Sequence, residues 1–359
     1  MKYRSTEILA AKTLTGTGTE VIDLNIAQPI SRINFQWIVT KTQVGMTSYP
    51  HKDITKIELV DGSDVLHSLD GGQNQALCIY DRKCPTMNHG QYINANSQRS
   101  LYGIDFGRFL YDPLLAFDPA KFRNPQLKIG FDSDVSDDGV ASGTMQVWAD
   151  VFDEKVITPQ GFLMAKEMYS RTPPAAGYYE IALPTDYMLR RMMIQGYRKA
   201  YEPWYQVSEA RLDEDNMKRV VFDYNLEVYY QLRKALDTPV EEAVALQAAG
   251  AGTAHYLQAT DFWSSLILNG QGAGDEAGIG ASGRGGYFLL LPGGSTQLQG
   301  VQRGYLPNHC FNFPFGDPAQ LDDWYDIAKV GSLRLRLLAG TGAAATGTVA
   351  LILQQLRKY

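Results

Sequence analysis

The sequence predicts an all-β chain built as two tandem sandwiches, with a few helices in their connections. Three observations lead there. One strand-turn-strand-helix passage occurs twice. Apolar residues alternate with polar ones in many short runs, the period-2 mark of half-buried strands. Helical patterns are too few to alternate with strands as a parallel sheet requires.

The repeated passage runs first from Asp53 to Cys84 (DITKIELVDGSDVLHSLDGGQNQALCIYDRKC) and again from Trp204 to Leu236 (WYQVSEARLDEDNMKRVVFDYNLEVYYQLRKAL). In the first copy a strand ends in the turn Asp61-Gly62-Ser63-Asp64, and a short strand follows from Val65 to Leu69. Asp70 then sits where a helix N-cap belongs, with Gln73 placed for a capping box. In the second copy the acidic turn is Asp213 to Asn216 and the short strand is Lys218 to Phe222. Asp223 is the expected cap, and Leu226, Tyr229, Leu232 and Leu236 recur at helical spacing. Asp61 maps to Asp213 and Asp70 to Asp223. Such repetition implies two similar domains.

Length agrees. At 359 residues the chain exceeds the roughly 250–300 residues at which one core stops growing. No apolar run is long enough to cross a bilayer as a helix, and MKYRSTEILAAKTLTG lacks the apolar core of a secretory signal. A net charge of -6 argues against a protein whose main work is binding nucleic acid, and no direct sequence-specific nucleic-acid binding is expected. Cys78, Cys84 and Cys310 show no metal-ligand spacing and read as ordinary thiols of a reducing compartment.

Taken in order, residues 1–17 have weak periodicity and read as a loose N-terminal arm. Glu20 to Asn25 and Ile33 to Thr40 are strand-like, with Ile33, Phe35, Trp37 and Val39 alternating against Asn34, Gln36 and Thr40. Thr55, Ile57 and Leu59 continue the pattern before the capped helix, and Leu101 to Phe109 gives another strand. Leu127, Ile129 and Phe131, then Met145, Val147, Ala149 and Val151, read as a long hairpin around DSDVSDDGVASG. Pro173-Pro174 is a stiff linker signal and places the domain boundary there. The first domain is thus 18–172 and the second 173–359. The second opens with strands at Tyr178 to Leu183 and Met188 to Gly196. It closes with Leu333, Leu335 and Leu337, the loop AGTGAAATG, and Val349, Leu351 and Leu353, again as a hairpin. Leu127 maps to Leu333, a wider spacing than Asp61 to Asp213, so the second domain carries an insertion. The Gly/Ala-rich stretch of about 239–300 is its place, expected as a long irregular surface loop. Eight strands in two Greek keys make each half a jelly roll.

The chemistry-bearing motifs point away from catalysis. GIGASG (Gly278 to Gly283) fits G-x-G-x-x-G, but its flanks are glycine-rich and Tyr287 to Leu291 reads as strand, so a flexible loop is the reading. Asp105-Phe106-Gly107 matches a kinase motif in letters alone and reads as a turn. Asp132, Asp134, Asp137 and Asp138 read as solvated turn carboxylates, with a surface Ca²⁺ site as the alternative; the Gly and Glu that an EF-hand needs are replaced by Asp137 and Gly143. His51, His67, His89, His255 and His309 are scattered, without the H-x-H pair of a cupin. The pairs Asp322-Asp323 and Glu241-Glu242 are expected to face water, and a glycosidase pair stays open because its acids need not be adjacent. Tyr201 to Tyr205 (YEPWY) is either core or a sugar-stacking surface. Arg334 and Arg336, facing away from the leucines around them, belong either to an exposed sheet face or to a subunit interface. No catalytic residue, cofactor-binding residue or metal ligand is assigned.

Two consecutive jelly-roll-like halves without an active site resemble the double jelly-roll major capsid proteins of tailless, membrane-containing icosahedral bacteriophages and their adenovirus-hexon-like relatives. The resemblance rests on DITKIELVDGSDVLHSLDGG, GYYEIALPTDYMLRRMMIQGY, the strand-turn-strand at 205–222 and the closing LRLRLLAG…GTVALILQQLRKY, and spans about residues 18–359. It implies a structural protein and not an enzyme: a homotrimer whose six jelly rolls form a pseudo-hexagonal block. Its implied partners are neighbouring capsomers, penton and minor capsid proteins, with an N-terminal contact to an internal viral membrane. The implied location is the virion, assembled in the host cytoplasm, and residues 239–300 become candidates for an outer tower or intersubunit contacts. The competing readings are a carbohydrate-binding or carbohydrate-cleaving β-sandwich and a minor vertex or spike protein of the same virion.

Overall fold

Strand β3 (Ile30–Thr40) shows how the pattern becomes a layer. Ile33, Phe35, Trp37 and Val39 are buried in one core, while Asn34, Gln36 and Ile38 point the other way and are half-buried. The structure, a computed structural model, describes residues 1–359 apart from 41, 43, 44, 94, 136–141, 248–251, 263, 271–283, 291–296, 344 and 345.

The first unit comprises β1 (Tyr3–Thr15), β2 (Thr17–Asp23), β3, β4 (Ile54–Asp61), β5 (Asp64–Leu69), helix α1 (Gly71–Arg82), β6 (Asn88–Tyr92), β7 (Ser97–Asp105), β8 (Pro125–Asp132) and β9 (Ser142–Phe152). The second comprises β10 (Gly161–Arg171), β11 (Tyr178–Leu183), β12 (Leu189–Tyr197), β13 (Val207–Glu214), β14 (Arg219–Asn225) and helix α2 (Leu226–Arg233). An insertion follows with β15 (Val240–Gln247), β16 (Thr253–Tyr256), β17 (Ser265–Gly270), β18 (Tyr287–Leu290) and β19 (Gln297–Gly304). The chain then returns through β20 (Cys310–Pro314), β21 (Leu333–Ala339) and β22 (Thr348–Lys358).

The strand orders are the same in both units. In the first, β1-β9-β3-β7 faces β2-β8-β4-β5; in the second, β10-β22-β12-β20 faces β11-β21-β13-β14. Apart from the paired neighbours β4-β5, β6-β7 and β13-β14, consecutive strands of each sandwich alternate between facing layers, which is the jelly-roll winding. Each pair of layers encloses its own core, one around Phe35, Trp37, Ile57 and Val147, the other around Ile194, Leu212, Phe311 and Leu335. The expected all-β pair of eight-stranded jelly rolls is therefore present.

Several expectations change. Residues 1–17 are not a loose arm: Tyr3–Thr15 is β1, an outer strand paired along β9. The boundary does not fall at Pro173-Pro174. β10 pairs with β22 from Gly161↔Lys358 to Arg171↔Val349, so it opens the second unit, and the prolines merely end it, having no N–H for the ladder. The two expected hairpins are not hairpins. β8 pairs with β2 and β4 while β9 pairs with β1 and β3; likewise β21 and β22 lie in facing layers. Helix α2 is capped by Asn225, whose side chain accepts from the Glu227 and Val228 N–H groups, and Asp223 stays in the strand. The Asp70–Gln73 capping box forms as expected.

The insertion is not an irregular loop. β15, β19 and β17 extend the first unit's sheet through β6, with β15 running parallel to it (Val244↔Gly90, Leu246↔Tyr92). β5 and β10 also touch in parallel at Ser68↔Lys166, so strands of both units join in each of the two eight-stranded sheets.

Candidate functional site: the seam between the sandwiches

The seam is organised by α1. Its residues Gly71 to Tyr80 carry no charged side chain, and Gly71 to Ile79 are all buried. Glycine is required at the start, because a Cβ on Gly72 would lie 2.6 Å from the His51 ring and one on Gly71 would strike the His51 carbonyl. One side of the helix closes an open edge of its own sandwich. Asn74 Nδ2 donates to the Gly103 carbonyl (2.8 Å) and the Gly103 N–H donates back to Asn74 Oδ1 (3.0 Å). An exposed strand edge is thereby satisfied by a side-chain amide.

The other side of α1 lies on the second sandwich. Ala76 and Leu77 pack with Ala165, Met193, Cys310, Ala350 and Ile352. Tyr80 Oη donates to the Cys310 carbonyl at 2.7 Å. Gln73 Nε2 donates to Glu167 and to Gln195 Oε1 (3.2 Å).

At the end of the helix the Asp81 carboxylate accepts from Arg190 Nη1 (2.6 Å), Arg191 Nη2 (2.9 Å) and Gln354 Nε2 (2.6 Å). Burial alone would push this carboxyl up, but the two guanidiniums and the amide hold it below the usual carboxylate range. The cluster ties one sandwich to the other through charge-assisted bonds in a place with little water.

A second joint lies under the insertion. Tyr92 of β6, Met46 and Tyr49 of the first unit share a core with Val244, Leu246, Leu257, Leu268 and Phe288. Inside it, Glu242 accepts from Tyr92 Oη (2.9 Å) and the Gln258 N–H (3.1 Å), and burial pushes its carboxyl up to about 7. Glu241, its neighbour on the strand, is on the outside beside Arg303 at 3.1 Å. The expectation that both acids face water is therefore wrong for Glu242, because successive strand residues point to opposite faces.

The other motif residues find structural employment. Asp105 is held by Arg32 and by Arg82 (2.8 Å), and Phe106 is core. His51, His67, His255 and His309 are buried and His89 is exposed. Burial drives His67 and His309 down to about 3, so both are neutral. Among the described residues no three His, Cys, Asp or Glu side chains are grouped to hold a metal. Cys78 and Cys310 are buried free thiols, and Cys84 is free and half-buried. Asp323 accepts from the Asp317 N–H at 2.5 Å, fixing a turn. Trp204 stacks on Tyr230 (5.1 Å between ring centres) and packs on the second core. Arg334 meets Glu180 of the same chain at 3.6 Å, and Arg336 covers the Tyr178 ring, so these arginines lie on an outward sheet face. Asp137, Asp138 and the 278–283 glycine motif lie outside the described residues.

Sequence reasoning missed the seam. The readable signal was α1 itself: a helix of Gly, Gln, Asn, Ala and Leu without charge has no solvent face.

No family model and no curated protein matches the chain. Solved structures do. The major capsid protein of Sulfolobus turreted icosahedral virus superposes with a TM-score of 0.60 at 9% identity, over 100% of this chain and 98% of that one. PBCV-1 VP54, as fitted into a reconstruction of the virophage Sputnik, gives 0.59 at 11% identity, over 99% and 93%. The major capsid protein of bacteriophage PM2 gives 0.55 at 10%, over 99% and 98%. Together with the repeated strand order, these likenesses show the double jelly-roll fold.

Proposed function

We propose that this double jelly-roll chain is a major capsid protein, the homotrimeric, pseudo-hexameric building block of an icosahedral virion shell. The observation that carries the reading is the joining of two sandwiches of identical winding by a buried helix, a buried ion cluster and shared sheets. Such a pair is stiff, and it presents twice a similar set of walls, which suits tiling. The fold likeness over nearly the whole of this chain and of known capsid proteins supports it.

On this reading the partners are two further copies, then neighbouring capsomers, penton and minor capsid proteins, in a virion assembled in the host cytoplasm. The insertion block (240–304) is the candidate for an outer or intersubunit feature. A tailless bacteriophage with an internal membrane is the finer form of the proposal. Residues 1–17 are largely taken up in β1 and are withdrawn as the segment that would reach that membrane.

Sedimentation of the purified full chain tests the assembly. A species of three times 39.9 kDa is expected, and a monomer persisting at micromolar concentration overturns it. Copy number per particle separates a major capsid protein from a minor vertex or spike protein.

A further inference from the structure

Inside one chain, the helix following the fifth jelly-roll strand of the first sandwich docks on the second. The second sandwich carries the same helix at the same place, and its docking positions are bare. The two units can be aligned by their own strand registers. β3 and β12 both begin with an isolated bridge, Ile30↔Phe117 and Leu189↔Tyr325, followed by the same register shift. This pairs Arg32 with Arg191, Gln36 with Gln195 and Trp148 with Ile352. The neighbouring ladders pair Glu7 with Glu167, Gly103 with Asn312 and Asp105 with Pro314.

The helices align from their caps, Asp70 and Asn225. A contact outside the helices supports this alignment. Asn74 bonds the carbonyl of Gly103, and Tyr229, its counterpart, donates to the carbonyl of Asn312 at 2.6 Å, the matching residue of the matching strand. The α1 residues that touch the next sandwich include Gln73, Ala76, Leu77, Tyr80 and Asp81. The counterparts of Gln73, Leu77 and Asp81 are Val228, Leu232 and Leu236, exposed by 57%, 58% and 71%; those of Ala76 and Tyr80 are Gln231 and Ala235, also exposed. The helical turn reaches Leu236, since Lys234 N–H donates to the Tyr230 carbonyl and Asp237 N–H to that of Arg233.

The difference in charge, Asp81 against Leu236, is matched on the other side. Arg191 has Pro314 across the ladder, with no acid, and α1 brings Asp81 to it. Arg32 has Asp105 across the ladder and pairs with it there. A helix docking over Arg32 needs no carboxylate, and α2 carries Leu236 where α1 carries Asp81.

We infer that the Val228, Leu232 and Leu236 stripe of α2 docks on the first sandwich of a second copy. Its seat is the outer face of β1, β9 and β3 around Glu7, Gln36 and Trp148, as α1 docks on the second sandwich within the chain. The inference rests on the proposed assembly and names the surface that makes it. The contact is head-to-tail, so it closes into a ring only after a whole number of copies; three are expected.

The test uses the full chain. Gln73 and Gln195 are in contact across the seam, so their counterparts Val228 and Gln36 meet between copies. The double variant Val228→Cys with Gln36→Cys, oxidised, is expected to form covalent dimers and trimers and nothing larger, while each single variant stays uncrosslinked. Leu232→Asp, at a site exposed in the single chain, is expected to weaken trimers about 30-fold or more, and Val156→Asp, at another exposed site, to leave them unchanged. Trimers that survive Leu232→Asp, with no crosslink in the double variant, overturn this surface while the trimer stands. A wild-type monomer at every concentration overturns the assembly itself, and this inference with it.

Discussion

Asp81 of the first sandwich and Arg190 of the second meet at 2.6 Å with side chains only 5% and 3% exposed. Arg191 shares the same carboxylate at 2.9 Å. The pair pins two separately cored units at one point, and its removal has a clear expectation. Asp81→Ala leaves two guanidiniums without their acid in a dry seam and should destabilise the chain by about 3–5 kcal/mol. Chemical denaturation measures it; a loss under about 1 kcal/mol would mean that water reaches the arginines. Replacing Asp81, Arg190 and Arg191 together with apolar residues should recover much of the loss.

The glycines that start α1 are a second point. Gly71→Ala places a methyl group against the His51 carbonyl, and Gly72→Ala places one on the His51 ring. Neither neighbour can withdraw, since His51 is buried. Each substitution should cost about 1–3 kcal/mol, although alanine is ordinarily the better helix former. Thermal unfolding of both variants checks this, and a gain in stability would contradict the close approach of helix and loop.

Glu242 gives a pH dependence with a definite sign. Its folded pKa of about 7 lies above the ordinary value of 4.5, so the folded state holds the proton more tightly than the unfolded one. Relative to acid conditions, its contribution falls as pH rises from about 4.5 and is fully lost above about 7, amounting to at most about 3 kcal/mol. Glu242→Gln removes that loss. The variant should gain on the wild type between pH 5 and 8, read from denaturation midpoints across the range. Parallel curves would show that Glu242 is not buried as a proton-binding group.

His67 and His309 act in the opposite sense. Their folded values of about 3 lie below the ordinary 6.5, so the unfolded chain takes up their protons first. Stability should fall as pH drops below about 6.5 and go on falling towards 3. Replacing either with a neutral residue of similar size should flatten that acid limb.

The fold was legible where packing is two-sided and local. β3 alternates because one face meets a core and the other does not, and the Asp70–Gln73 box forms from residues three apart. β1 was missed because only Leu14 of its residues is buried, leaving no alternation to read. The Pro173-Pro174 boundary failed because proline ends a strand and punctuates a linker by the same chemistry, and only the distant partner β22 tells them apart. Partner choice also undid the two expected hairpins, since period-2 patterning fixes a strand's faces but not its neighbours. The seam depends on residues as far apart as Asp81 and Gln354, which no spacing rule joins.

The central claim is that two matched sandwiches in one chain are three-copy building blocks. Electron-microscope class averages of the purified full chain test it most directly. A ring of six lobes with three-fold symmetry is expected, α2 of each copy lying against the first sandwich of the next. Isolated two-lobed particles at every concentration would contradict it.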